Sequence, residues 1–265
     1  MTATNVKHKI ATPEEWLKER KELLDAEKAL TRQRDEVSRK RRELAWVPVE
    51  KNYIFEGPRG KETLADLFAG RGQLIVYHFM FGPGWEEGCK SCSLLADHFD
   101  GSVVHLAHRD VTFVVCSHAP YPQIAAFQKR MGWRFHWVSS YGTDFNYDYQ
   151  ASFTKEELAT GEVFYNYRPT KFPSEEAPGA SAFAKDDAGK VFHTYSTYER
   201  GLDIFIGAYN WLDIAPKGRD EDGLAFSMSW VRHHDKYDDS YAVDAGSGYQ
   251  PPRVVDGSCC SGEKS

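Results

Sequence analysis

The chain has 265 residues, of which 41% are hydrophobic and 27% charged, and its net charge is −6. That composition excludes a wholly disordered chain, and 21 Gly and 12 Pro without period exclude a collagen-like or low-complexity one. The longest apolar stretch, Leu74 to Phe81, is interrupted by His78 and falls far short of the roughly 18 residues a membrane span requires. The first ten residues carry no apolar segment of the kind a secretory signal needs, and the acidic balance disfavours a nucleic-acid partner. The expectation is a cytoplasmic protein with no nucleic-acid and no membrane partner.

Residues 1–45 read as an N-terminal charged helix. Thr12-Pro13-Glu14-Glu15 supplies an N-cap, a proline at the first helical position and a glutamate for a capping box. Trp16, Leu23, Leu30, Val37 and Leu44 recur every seven residues, but Arg20, Glu27, Arg34 and Arg41 occupy the positions that would complete a coiled-coil seam. The stripe is therefore narrow, and is compatible with a homodimer without requiring one. Residues 14–43 hold ten basic and nine acidic side chains, so Arg39-Lys40-Arg41-Arg42 reads as a solvated face, not a targeting patch.

Residues 46–216 alternate strand and helix signals. VPVEKNYIF (47–55) begins as a strand or hairpin arm, and KETLADLF (61–68) as a short helix. QLIVYHF (73–79) is an apolar run bounded by glycine, the pattern of a buried parallel strand. A helix is expected from Ser91 to Arg109 with a kink near Gly101, then a strand over 111–116, a helix over 124–131 and a strand over 135–138. Two strands, 181–185 and 191–195, flank Asp186-Asp187-Ala188-Gly189, a hairpin signal, and an amphipathic helix over 202–214 closes the region. This pattern predicts an α/β fold, a mixed sheet flanked by helices. Within it, residues 139–177 form an aromatic-rich insertion that reads as surface packing or as a lid over the site. Residues 217–265 read as an irregular C-terminal tail whose last part is expected to be mobile.

Five cysteines in a chain of this length give about 0.1 C-x-x-C pairs by chance, and one is present: Cys89-Lys90-Ser91-Cys92. It follows a buried strand and its loop where a helix begins. A thiolate there faces unpaired backbone N–H groups and the positive end of the helix dipole, which lowers its pKa and makes it a nucleophile. Cys92, one turn on, faces the same side and can resolve a mixed disulfide. Lys90 favours the thiolate while Glu86 and Glu87 oppose it. A structural pair and a half-built zinc site are the rival readings, the second lacking a matching ligand pair.

Strand, Trp-containing loop, C-x-x-C, helix, strand, helix, hairpin and helix resemble the thioredoxin fold. The blocks YHFMFGPGWEEGCKSCS, HRDVTFVVCS, MGWRFHWVSSYGTDFNYD, VFHTYSTYERGLD and LDIAPKGRDE resemble domain-of-unknown-function family 899 over roughly residues 10 to 240. That family is described as predicted thioredoxin-like dithiol-disulfide oxidoreductases. The resemblance implies Cys89 as nucleophile, Cys92 as resolving thiol and no organic cofactor; no metal is expected, since no second ligand pair is present in the sequence. The partners it implies are a disulfide-containing protein or small-molecule substrate and a thiol reductant. It also implies a cis-proline beside the cysteine pair, and Pro178 is the best match; Trp85 and Pro178 are the expected substrate-binding residues. The sequence departs from plain thioredoxin in placing Trp85 four residues before the first cysteine.

Peroxiredoxins, which share this fold, are the enzymatic alternative. They carry P-x-x-x-T-x-x-C, and here Glu86 stands at the threonine position and Gly82 at the proline position. A non-catalytic binding module with a structural or metal-binding cysteine pair is the alternative from another class. Cys116 and His78 read as core residues, and the aromatics Trp133, Trp137, Tyr141, Tyr147 and Tyr149 as packing. His98, His105 and His108 read as ordinary residues of a helix face. Asp66 and Asp110 are candidate proton relays to the resolving thiol. Cys259-Cys260 is either a second redox pair, a holder of a soft metal such as Cu(I), or a dispensable tail.

Overall fold

The computed structural model describes residues 8–254, so the expected mobility of the chain's last part and the pair Cys259-Cys260 fall outside the described residues. The chain divides into two units, the first ending at Ala45 and the second beginning at Trp46.

The first unit is one helix, α1 (Pro13–Arg42), closed by the expected capping box: the Glu15 N–H donates to Thr12 Oγ1 at 3.2 Å and the Thr12 N–H to Glu15 Oε2 at 2.9 Å. Glu14 and Glu15 in its first turn and four basic residues in its last complement the helix dipole. None of its residues is buried.

The second unit is built on an eight-stranded mixed sheet. Its strands are β1 (Val47–Pro48), β2 (Ile54–Gly57), β3 (Gly60–Thr63) and β4 (Gln73–His78). The helices α2 (Lys90–Phe99) and α3 (Val103–Ala107), β5 (Val111–Ser117), α4 (Tyr121–Met131) and β6 (His136–Ser139) come next. The insertion carries α5 (Phe145–Asp148), α6 (Lys155–Ala159) and a small hairpin of β7 (Val163–Tyr165) and β8 (Arg168–Thr170). The hairpin β9 (Gly179–Lys185) and β10 (Val191–Tyr198) and the short α7 (Gly207–Leu212) complete it. The sheet order is β1-β10-β9-β4-β5-β6-β2-β3, with β4, β5 and β6 parallel and β9 antiparallel to β4. The expected order of elements is present, and the fold is thioredoxin-like.

Period-two alternation sorts the central strands onto two cores. Tyr77, Phe79, Val115 and Trp137 face Cys92, Leu95 and Phe99 of α2 and Ile124, Phe127 and Met131 of α4. Leu74, Val76, Val114, Cys116 and Val138 face the other way, onto Leu67, Phe68 and Phe145. At roughly 1.5–3 kcal/mol per fully buried large side chain, these two layers hold the sheet together.

Three expected elements differ. Residues 61–68 are not a helix: Gly57 and Gly60 close a tight hairpin, Phe55 pairs with Glu62, and a 3-10 turn survives only at Asp66–Phe68. Pairing with β2 overrides the local helical preference. The expected helix over 202–214 divides into a 3-10 segment, Glu199–Phe205, and α7. The Ala177–Pro178 peptide is trans, no cis bond occurring among the described residues, so the cis geometry expected at Pro178 is absent. Residues 217–254 are irregular, as expected, yet belong to the second unit: Val231 is fully buried, and Met228, Trp230 and Tyr249 pack on the α2 face of the core.

Candidate active site around the cysteine pair

The parallel strands β4 and β5 end on the same edge of the sheet, where ligands bind in open α/β folds. The chain leaves β4 through Phe79–Gly88 and turns into α2. Gly88 is required at that turn, because a Cβ there would stand 2.6 Å from Phe79 Cε1 and 2.8 Å from Phe127 Cε1. Cys89 is thereby placed at the N-cap of α2, its N–H donating to the Met80 carbonyl at 3.0 Å and its carbonyl accepting from the Ser93 N–H and hydroxyl, both at 2.9 Å.

Both thiols are free and buried, Cys89 at 4% exposure and Cys92 at 2%. Their environments push them apart. The Cys92 thiol beside it, and the backbone N–H groups of Cys92 and Ser91, lower the Cys89 pKa to about 7 against the opposing effect of burial, with Lys90 adding a smaller contribution. Burial and the neighbouring Cys89 thiolate raise Cys92 well above its ordinary value. The opposing charge of Glu87 is taken up by Arg130 and Lys236, which both donate to its carboxylate. The Glu86 N–H donates to the Arg253 carbonyl at 2.8 Å.

Two cavities share Cys89, Ser91 and Tyr249 on their walls. One, of about 450 Å³, lies between Glu86–Ser91 and the segment Tyr249–Arg253. The other, of about 960 Å³, is walled by Met80, Tyr165, Phe172, Pro178, Tyr209 and Met228. The insertion thus both packs, through Phe153, Val163 and Tyr165, and lines the larger cavity.

The expected site residues are distributed as follows. Pro178 shares the larger cavity with Cys89, its carbonyl accepting from the Tyr165 hydroxyl at 2.6 Å. Trp85 is buried at 7% exposure against Gly82, accepts from Gln123 through its carbonyl, and bridges Val254. Asp66 is engaged by the Thr63 N–H and hydroxyl, and Asp110 by the Gly72 N–H, so neither joins the cysteines. His78 is a core residue hydrogen-bonded to Ser181 at 2.9 Å, and burial raises the Cys116 thiol to about 12. His98 is tied to the Leu94 carbonyl and the Ala208 N–H. No group of three metal-ligating side chains occurs among the described residues.

Two residues escape sequence reasoning. The Tyr77 hydroxyl is buried without a nitrogen or oxygen partner and faces the Cys92 thiol from β4. Its place on the α2 face of an alternating strand was the available signal. Tyr249, in irregular chain, gave none; it packs against Phe226 at 5.7 Å between ring centroids.

A family profile matches residues 5–237, most of the chain. The chain belongs to the family described as Bacterial protein of unknown function (DUF899). No curated protein matches the sequence. Among solved structures, the chain is similar to the bacterioferritin comigratory protein of Xanthomonas campestris, with 10% identity, TM-score 0.39, and coverage of 58% of this chain and 88% of that one. Peroxidoxin BcpB from Mycobacterium tuberculosis is similar at 14% identity and TM-score 0.36, over 62% of this chain and 93% of the other. A putative thiol:disulfide interchange protein DsbE from Chlorobium tepidum is similar at 12% identity and TM-score 0.37, over 62% and 97%. Such distant likenesses assign no role to any residue.

Proposed function

We propose that this DUF899 protein is a thiol–disulfide oxidoreductase, with Cys89 as nucleophile and Cys92 as resolving thiol. The supporting observation is the split between the two thiols: Cys89 falls to about 7 at the N-terminus of α2 while Cys92, one turn inside, is held protonated. A pair whose environments separate its pKa values has its roles assigned by them. The Cys89 thiolate attacks one sulfur of a substrate disulfide, expelling the other as a thiolate that takes up a proton. Cys92 then loses its proton and attacks Cys89 Sγ, forming the Cys89–Cys92 disulfide and releasing the reduced product. The Tyr77 hydroxyl donates to the Cys92 thiolate as it forms.

Substrate enters through the larger cavity, where Pro178 is the expected contact; Trp85, buried, holds the loop that carries the cysteines. A thiol reductant returns the pair to the dithiol state, which suits a reducing compartment such as the cytoplasm. A peroxidase reading draws less support, since the residue at the threonine position, Glu86, supplies no hydroxyl.

The test is a titration of the native protein in glutathione redox buffers, quenched by differential alkylation and read by peptide mass spectrometry. The expected result is a reversible Cys89–Cys92 disulfide with a single midpoint. Two thiols that stay reduced and unreactive across the range would refute the proposal and favour a binding module.

A further inference from the structure

Cys89 stands on the walls of two cavities. In the proposed chemistry the larger one takes the substrate disulfide, and the smaller one is left without a role. Its volume, about 450 Å³, lies toward the low end of the roughly 300–1,000 Å³ typical of small-molecule pockets. A molecule of a few residues fits there and a folded protein does not. With Cys89 only 4% exposed, a reductant using this route is a small thiol.

The charges on the wall say which kind. It carries two carboxylates, Glu86 and Glu87, and three cations, Lys90, Lys236 and Arg253. Glu87 is already engaged by Lys236 and Arg130. Glu86 and Arg253 are both exposed, where water and salt screen them, and their charges offset one another. Lys90 is different. It is half-buried in the first turn of α2, and its ammonium has neither a hydrogen bond nor an ion pair among the described residues. Burial and the Arg232 guanidinium both lower its pKa, and the Cys89 thiolate opposes them. Arg232 is held in place by donating to the Ser229 and Val231 carbonyls, at 2.7 and 3.1 Å.

The oxidation state decides how this cation is balanced. In the dithiol, the Cys89 thiolate supplies the opposing charge. In the Cys89–Cys92 disulfide that charge is gone, and a half-buried ammonium is left with Arg232 nearby and no thiolate. An unpaired charge removed from water is costly, and an anion that enters the cavity recovers part of that cost.

We infer that the smaller cavity is the reductant subsite, and that it takes a low-molecular-weight thiol bearing a carboxylate, which Lys90 holds. The inference rests on the proposed oxidoreductase chemistry. The bound molecule, as thiolate, attacks Cys89 Sγ; the Cys89–Cys92 bond breaks and Cys92 takes up a proton. A second molecule, as thiolate, attacks the small-molecule sulfur of that mixed disulfide, and Cys89 leaves as thiolate. Two electrons pass to the protein, and the product is the symmetrical disulfide of the small thiol. The returning Cys89 thiolate then competes with the carboxylate for Lys90, so the subsite loads when the pair is oxidised and empties when it is reduced.

The test compares 3-mercaptopropionate, 2-mercaptoethanol and cysteamine, similar in size and different in charge, as reductants of the oxidised full chain. Each rate is divided by that of the same thiol with bis(2-hydroxyethyl) disulfide, which removes differences in intrinsic reactivity. The normalised rate for 3-mercaptopropionate should exceed that for 2-mercaptoethanol about tenfold, with cysteamine below both. The advantage should fall as salt is added. In Lys90→Gln it should shrink to about twofold or less, and Lys90→Arg should keep most of it. A change in the Cys89 pKa acts on all three thiols alike, so the ratio reports recognition of charge. Equal normalised rates in the unmodified chain overturn the inference and leave the oxidoreductase proposal standing, as does an advantage that survives Lys90→Gln. If no Cys89–Cys92 disulfide forms, or no thiol reduces it, both fail.

Discussion

Replacing Cys92 by alanine tests what sets the reactivity of Cys89. The largest influence lowering the Cys89 pKa is the neighbouring Cys92 thiol, ahead of the backbone N–H groups and Lys90, which the variant keeps. Without it, Cys89 should rise from about 7, with its ordinary 9.0 as the limit of a complete loss of the shift. At that limit the thiolate fraction at pH 7 falls from about one half to about one per cent, roughly 50-fold. The more basic thiolate is the better nucleophile by about six- to tenfold, given a Brønsted slope near 0.4–0.5. The net expectation is a five- to eightfold slower reaction with iodoacetamide at pH 7, and a six- to tenfold faster one once both thiols are ionised. The two pH profiles must therefore cross. Stopped or quenched alkylation from pH 5 to 10, with Cys89 followed by peptide mass spectrometry, reads both limbs. A variant profile with its midpoint still near 7 would refute the reasoning and assign the shift to the helix terminus alone.

Three further outcomes are expected. Tyr77→Phe should lengthen the life of a Cys89 mixed disulfide about tenfold, the effect of roughly 1.5 kcal/mol from a hydrogen bond to a charged sulfur. Alkylation of Cys89 should not change, and an unchanged lifetime removes Tyr77 from the resolving step. His78 is fully buried, and burial holds its pKa at about 4, below the ordinary 6.5. The unfolded chain therefore binds a proton that the folded one refuses. The associated stability is complete above pH 6.5 and is lost as pH falls toward 4, about 3 kcal/mol in all; denaturant titrations of His78→Gln should show a flatter dependence over that window. Gly88→Ala drives a methyl into Phe79 and Phe127, and should lower stability by about 1–3 kcal/mol in the same assay. An unchanged midpoint would mean that the rings give way freely.

The parts of this fold that sequence reading reaches are those where one physical signal dominates. QLIVYHF and VTFVVC are apolar because β4 and β5 are covered on both faces, and Asp186–Gly189 turns a hairpin by its own local chemistry. KETLADLF misleads because its helical pattern is weaker than the pairing of Phe55 with Glu62, which depends on a strand that no local window contains. The cysteine pair is legible from spacing and position. Its environment is not, since Tyr77 reaches Cys92 across the packing between strand and helix, and Tyr249 arrives from more than 150 residues downstream. Pro178 is brought to the wall of the cavity it shares with Cys89 by the start of β9, which the hairpin signal placed two residues late.

Because the wall facing Cys89 is made by residues 249–253, the site is completed by almost the last part of the described chain to be synthesised. The sheet, α2 and both thiols are encoded before it. During translation Cys89 therefore emerges before the residues that wall its smaller cavity. The same order makes the cover the easiest part to lose. A protease cutting after Lys236 would spare the eight-stranded sheet and remove Tyr249, which lines both cavities. What remained would leave Cys89 without the wall that residues 249–253 supply. A preparation clipped in this way is expected to react with thiol reagents more readily than the intact chain.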